Sequence, residues 1–276
     1  MGPLEITAYT QEFKIIIITT MFNYYVAHIG IAGCLADIRL NDIPLYIGEV
    51  NDYIAFSLPL NPYLDHNGRQ TLVVSILPPI TRLQPAKGSV WVEISLFDGE
   101  NEKLSHRKTI VESQLKYDGQ SILSSSLIDI KSFDANIDYP VDRWNDCEKI
   151  DRYQNVRAMA FYFYNNLGKI FRNHQYNTYS SMIAHREQEI VKSIGLDERE
   201  IQIRDKQLIE NLNNGYVFKE LRGDEIVHFY AGGKAMALLT PEMDPALRFY
   251  SAENDNYLVL DLLLGIRKGT GMLSIL

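Results

Sequence analysis

The 276-residue sequence has few cysteines, few basic residues and no recognisable catalytic motif. Its two cysteines, Cys34 and Cys147, cannot form a disulfide scaffold or, by themselves, a zinc site. Its 27 basic residues are outnumbered by 35 acidic ones, and the net charge of −8 argues against a protein that mainly binds nucleic acid. No His-x-x-x-His pair, Gly-x-Ser-x-Gly elbow or P-loop occurs. The sequence therefore predicts no catalytic residue, no metal site and no cofactor.

The N-terminal region contains an uncharged stretch, residues 15–36, with three interpretations. Polar residues interrupt it, and no basic cluster flanks it as beside a membrane helix. Ile31–Cys34 has the form of a lipobox, but the basic segment expected before it is missing. The β-branched and aromatic residues of Ile15–Thr20 and Tyr24–Ile29 favour two strands instead. We expect a cytoplasmic protein, with lipid attachment at Cys34 as the alternative.

Residues 1–115 are predicted to form an all-β sandwich domain. Apolar and polar residues alternate through four segments, which is typical of strands with one buried face. The segments Ile38–Leu45, Phe56–Asn61 and Leu72–Ile76, with the turn at Asn67-Gly68, resemble the jelly-roll sandwiches of the galactose-binding-like superfamily. The resemblance covers roughly 45 residues. It implies a fold and transfers no sugar-binding residue.

Residues 116–151 are predicted to form an acidic connector between two domains. This segment holds the densest run of acidic residues in the chain and lacks a clear period. It is either a solvated linker or an anionic strip that docks on a cationic partner. Trp144 within it is either an interface anchor or a side chain that fixes the linker to a domain.

Residues 152–276 are predicted to form an α+β domain with three helices followed by an antiparallel meander. Apolar residues recur at helical spacing over 155–172, over 177–193 and from 197 onward. After Gly215 the period becomes two, and short strands alternate with glycine-containing turns. Helices followed by a run of strands indicate an α+β arrangement.

Three helices and a curved meander resemble the cone fold of the scytalone-dehydratase-like and SnoaL-like proteins over about 120 residues. This resemblance is topological and implies a pocket between the helices and the sheet. The polar candidates for its lining are Tyr162, His174, His228, Tyr230 and Asp261. A histidine beside a carboxylate there could run general acid–base chemistry.

The composition favours a non-catalytic protein-binding role, because 17 tyrosines accompany an acidic balance and no catalytic constellation. In its acidic, two-domain, motif-poor character the chain resembles the orphan immunity proteins of bacterial antibacterial toxin systems. That resemblance implies a tight complex with one cognate, basic toxin domain. The expected contact residues are acidic or aromatic: Asp142, Trp144, Asp146, Glu148, Asp244, Glu253 and Asp255. The alternatives are a small-molecule enzyme or carrier using the cone pocket, and a glycan-binding lipoprotein.

Overall fold

A computed structural model describes residues 23–78, 87–97, 107–118, 125–139, 142–196, 199–253 and 255–276. The predicted strand Ile15–Thr20 lies outside these residues. The contacts of the chain group into two compact units. Among the residues described, the N-terminal unit comprises 23–139 with 192–195, and the C-terminal unit comprises 142–191 with those from 196 onward.

The described part of the N-terminal unit contains six antiparallel strands: β1 (Tyr24–Leu40), β2 (Ile43–Pro59), β3 (Gly68–Leu77), β4 (Gly88–Phe97), β5 (Arg107–Tyr117) and β6 (Leu127–Ala135). The apolar positions at period two put one face of these strands into a common core, which includes Ile29, Ile38, Val74 and Val92. Each of these four side chains is at most 1% exposed. A β-rich first half is therefore confirmed.

The long strand β1 organises this sheet. It pairs with β2 along its length, with β4 through Tyr24–Ala32 and with β3 through Leu35–Leu40. The register shifts between Ala32 and Cys34, where Gly33 has a φ of 56°. A glycine in this left-handed region produces a bulge that bends the strand. The sheet order is β5-β4-β1-β3-β6, with β2 on the other edge of β1.

The sheet is nearly closed, because its two end strands, β5 and β6, approach each other. The hydroxyl of Ser113 on β5 donates a hydrogen bond to Asp129 Oδ2 on β6 at 2.7 Å. β6 falls within the segment 116–151 for which the sequence predicts a connector. Its charged residues make the period of two hard to recognise in the sequence. Nine residues of β6 pair with β3.

Cys34 lies in the middle of β1 and is 3% exposed. Burial raises the pKa of its thiol to about 11. A lipid-anchored form would begin at Cys34, because the chain is cleaved on the N-terminal side of the modified cysteine. Such cleavage would remove every residue of β1 that pairs with β4. None of the helices within the described ranges is long and apolar enough for a membrane crossing.

The C-terminal unit begins with three helices, α1 (Val156–Arg172), α2 (Tyr176–Ser193) and α3 (Arg199–Asn213). Their apolar residues recur at three- and four-residue spacing, so each helix has one buried stripe. Helix α1 buries Ala160, Tyr164, Leu167 and Phe171. The bounds agree with the predicted helices to within about two residues.

Seven short strands follow: β7 (Tyr216–Phe218), β8 (Ile226–Tyr230), β9 (Ala235–Leu239), β10 (Arg248–Ser251), β11 (Asn256–Val259), β12 (Leu264–Ile266) and β13 (Leu273–Ile275). They form a sheet of order β11-β10-β7 and a sheet of order β13-β12-β9-β8. All pairings are antiparallel, which confirms the α+β character of this half. Phe171 of α1 packs edge-on against Phe249 of β10, with ring centroids 4.8 Å apart.

Candidate functional site

The three-stranded sheet β11-β10-β7 has one buried and one accessible face. Phe218, Phe249 and Leu258 form a row on the buried face, because each is paired with the next across the strands. The residues on either side of them in sequence point to the opposite face. We define the tyrosine face as Val217, Lys219, Arg248, Tyr250 and Tyr257.

Aromatic and cationic side chains contact one another on the tyrosine face. The rings of Tyr250 and Tyr257 lie 5.1 Å apart between centroids, at an interplanar angle of 48°. Lys219 Nζ lies 5.9 Å from the Tyr250 ring centroid, and the Arg248 guanidinium lies 5.8 Å from that of Tyr257. Val217, opposite Tyr250, is 66% exposed. The result is a pre-organised surface of rings, aliphatic carbon and positive charge.

Three of the predicted contact residues are near the tyrosine face. Asp244 and Asp255 contact its side chains, and Glu253 is close to it in the sequence. Asp244 Oδ2 lies 3.7 Å from Arg248 Nη1, and Asp255 Oδ1 accepts a 2.9 Å hydrogen bond from the Tyr250 hydroxyl. Glu253 is exposed in the turn between β10 and β11. Burial raises the pKa of the Asp244 carboxyl, and Arg248 opposes this shift.

The other four predicted contact residues, Asp142, Trp144, Asp146 and Glu148, belong to a segment that packs along β12. The Glu148 amide donates to the Ile266 carbonyl oxygen, and the Lys268 amide donates to that of Asp146. Asp142 and Asp146 are exposed, whereas Trp144 is only 2% exposed. An anchor role for Trp144 on a partner does not fit this burial. The Arg143 guanidinium lies 5.5 Å from the Trp144 ring centroid.

The five candidate pocket residues do not converge on one cavity. Tyr162 is 71% exposed on α1, whereas Tyr230 is 1% exposed on β8. His174 lies in the turn after α1 and its Nδ1 is 2.9 Å from the Tyr176 hydroxyl. His228 is half-buried on β8. Asp261 is exposed as a residue, but surrounding protein desolvates its carboxyl group enough to raise its pKa.

A cleft of about 250 Å³ lies between α2, α3 and β11, and the sequence did not indicate it. Its floor is apolar, and its rim carries Arg186, Arg204 and Asp205. The buried Glu187 carboxylate holds both arginines, through Arg186 Nη2 at 2.7 Å and Arg204 Nη2 at 3.3 Å. Arg186 also acts on Asp261 electrostatically and lowers its pKa in part.

In the described part of the chain, no group of three or more His, Cys, Asp or Glu side chains is placed to hold a metal ion. His185 and Glu189 lie one turn apart on α2, with His185 Nδ1 3.7 Å from Glu189 Oε2. Comparison with family models, curated proteins and solved structures finds no match to this chain.

Sequence reasoning missed Val217, Tyr250 and Tyr257 as functional candidates. Each occurs in a strand that the period of two predicted, so the signal for exposure was present. The missing information was the pairing, because Val217 and Tyr257 are 40 residues apart and meet only through β10.

Proposed function

We propose that the chain is a non-catalytic protein-binding protein that contacts one partner through the tyrosine face. The observation that carries this proposal is the contact between Tyr250 and Tyr257 beside the exposed Val217. Tyrosine and arginine are enriched among residues that dominate binding energy, and a tyrosine ring supplies large contact area at low entropic cost. An already packed pair loses little freedom when a partner covers it.

The expected partner is basic. The chain carries a net charge of −8, and around the tyrosine face the three carboxylates of Asp244, Glu253 and Asp255 outnumber the two cations of Lys219 and Arg248. Complementary charge raises the association rate and suppresses wrong partners. We propose a cognate bacterial toxin domain as this partner, whose active site or assembly the chain blocks. This role places the chain in the cytoplasm of the cell that it protects.

The first test is a tagged pull-down from the native host with mass spectrometry of the retained proteins. We expect one stoichiometric basic partner that survives moderate salt. Expression of that partner alone should be toxic, and co-expression of the chain should suppress toxicity. Absence of a partner would contradict the binding role, and a harmless partner would contradict the immunity role.

The second test locates the contact with Val217→Lys, which places an ammonium on the face opposite Tyr250. Burying this charge should cost about 2 kcal/mol or more, an increase in Kd of about 30-fold. The matched control is Ile226→Lys on β8, because Ile226 is 48% exposed in the same unit and receives the same charge. Equal binding by the two variants would place the interface elsewhere.

A second candidate function is small-molecule carriage in the cleft between α2, α3 and β11. It is favoured by the buried Glu187 held between two arginines over an apolar floor. A small molecule that copurifies with the chain and is lost on Leu208→Trp, which fills the cleft, would support it.

We further propose that the two compact units are separate domains. Limited proteolysis should then release two stable fragments that divide near residue 140. Cleavage at many sites without stable fragments would argue for one cooperative unit.

A further inference from the structure

The outer face of the N-terminal sheet carries a regular grid of side chains across β2, β1, β4 and β5. Residues paired across antiparallel strands share a face. One row therefore contains Ala55, Gly30, Trp91 and Gln114, in strand order. The next row contains Tyr53, Ala32, Ser89 and Lys116.

The second row is low in its middle and high at its ends. Gly30, Ala32 and Ser89 are small residues, whereas Tyr53 and Lys116 close the second row. Adjacent strands are about 4.8 Å apart, so Tyr53 and Lys116 are separated by about 14 Å. The small residues thus form the floor of a shallow groove that runs across the strands.

Two aromatic rings line one side of this groove. A Cβ atom added at Gly30 would lie 3.5 Å from the Tyr53 hydroxyl oxygen and 3.7 Å from both Tyr53 Cε2 and Trp91 Cε3. The Tyr53 ring therefore extends over Gly30 and lies beside Trp91. Tyr53 remains 67% exposed, so much of the ring is open to solvent. Such a ring can stack against a flat ligand.

Positive charge lies at the opposite end of the groove. Lys87, Lys116, Ser89 and Tyr117 line a depression of about 630 Å³, with Asp118 as its acidic member. Neither lysine has an ion-pair partner among the described residues. In a chain of net charge −8, two such lysines in one depression provide a local site for an anion.

We propose that this groove binds a short acidic oligosaccharide. The apolar C–H face of a sugar ring would stack on Tyr53 and Trp91, and its hydroxyl groups would meet Gln114 and Ser89. A carboxylate or sulfate of a neighbouring ring would reach Lys87 and Lys116. A shallow, solvent-open groove of this length matches a chain of linked rings better than a single compact molecule.

The test measures binding of three acidic probes, trigalacturonate, 3′-sialyllactose and a heparin disaccharide, against the neutral probes lactose and galactotriose. Calorimetry gives the Kd, and fluorescence reports Trp91, because the second tryptophan, Trp144, is buried. We expect at least one acidic probe to bind, at least tenfold more tightly than the neutral ones and more weakly as salt rises. Failure of every acidic probe at millimolar concentration would overturn the proposal, and so would equal binding of the neutral probes.

Variants of the full chain locate the site. Tyr53→Ala and Lys116→Met should each raise the Kd at least tenfold, since they remove the exposed ring and one cation. The matched control is Tyr162→Ala, which removes a tyrosine of similar exposure, 71%, from α1 in the other unit. Unchanged binding by both groove variants, with far-UV circular dichroism showing the native fold, would refute this location. The toxin-binding test does not use these residues, so either proposal can fail alone.

Discussion

The buried carboxylate of Glu187 provides the sharpest test of how the C-terminal unit is held together. Its Oε1 accepts hydrogen bonds from Arg186 Nε at 3.1 Å and Nη2 at 2.7 Å, and its Oε2 lies 3.3 Å from Arg204 on the next helix. Glu187→Ala would remove this carboxylate from Arg186 and Arg204, whose side chains are only 16% and 30% exposed. Breaking a buried pair typically costs 3–5 kcal/mol. Because the arginines keep partial hydration, we expect about 3 kcal/mol.

A loss of about 3 kcal/mol corresponds to a fall in Tm of about 10 °C for a cooperative unit of this size. The matched control is Glu210→Ala on α3, which breaks an exposed i,i+4 pair with Lys206 at 3.6 Å. Such a pair contributes about 0.3–0.5 kcal/mol, so Tm should move by about 1–2 °C. Thermal unfolding followed by circular dichroism measures both shifts. Equal, small shifts would refute the argument that burial makes the Glu187 contacts stronger.

Three further predictions test packing and titration. In Gly168→Ala, the added methyl group would collide with the Phe218 ring. This overpacking should cost about 1–3 kcal/mol, more than the gain of up to about 1 kcal/mol from better helix propensity. The midpoint of urea unfolding should therefore fall. Desolvation by surrounding protein raises the pKa of the Asp261 carboxyl above its usual 3.8, so the folded state binds this proton more tightly than the unfolded state. Stability therefore falls as pH rises above that value, and Asp261→Asn should raise Tm at pH 7 and reduce that slope. Cys34 and Cys147 are buried with raised thiol pKa values, so a thiol reagent at pH 8 should label neither in the native chain and both in denaturant.

The helices were predictable because their signal is local. Each of α1, α2 and α3 has its own apolar stripe, and Gly195 and Gly215 follow the second and third with positive φ values of 68° and 84°. Glycine at the end of a helix favours termination without reference to the rest of the chain. The beginning of α3 at Arg199 follows residues outside the described ranges.

The long strand β1 shows where local signals mislead. The predicted strand Tyr24–Ile29 ended before Gly30, yet Tyr24–Leu40 is one strand. Gly33 provides a bulge, and Gly30 makes room for aromatic side chains from β2 and β4. A glycine in a strand can mark a turn, a bulge or a close approach, and only the partner strands decide between these outcomes.

The acidic segment shows the same limit for charged residues. Asp142 and Asp146 predicted a solvated linker, but Trp144 between them and Cys147 directly after them are buried. Burial also dominates the raised pKa of the Cys147 thiol, to which Asp146 adds a smaller contribution in the same direction. The sequence alone could not show this, because the backbone partners of the segment lie in β12 and the turn after it, more than 100 residues away.

Both proposed binding surfaces depend on strand pairing more than on any motif. The tyrosine face needs β7 and β11 on opposite sides of β10, and the groove needs β1 between β2 and β4. A shift of one residue in either register would turn Tyr250 or Trp91 toward the opposite face of its sheet. Each surface therefore exists only while its buried rows remain in place: Phe218, Phe249 and Leu258 beneath one, and Ile29, Ile31 and Val92 beneath the other. The buried residues fix the register, and the register in turn brings together the side chains to which we assign binding.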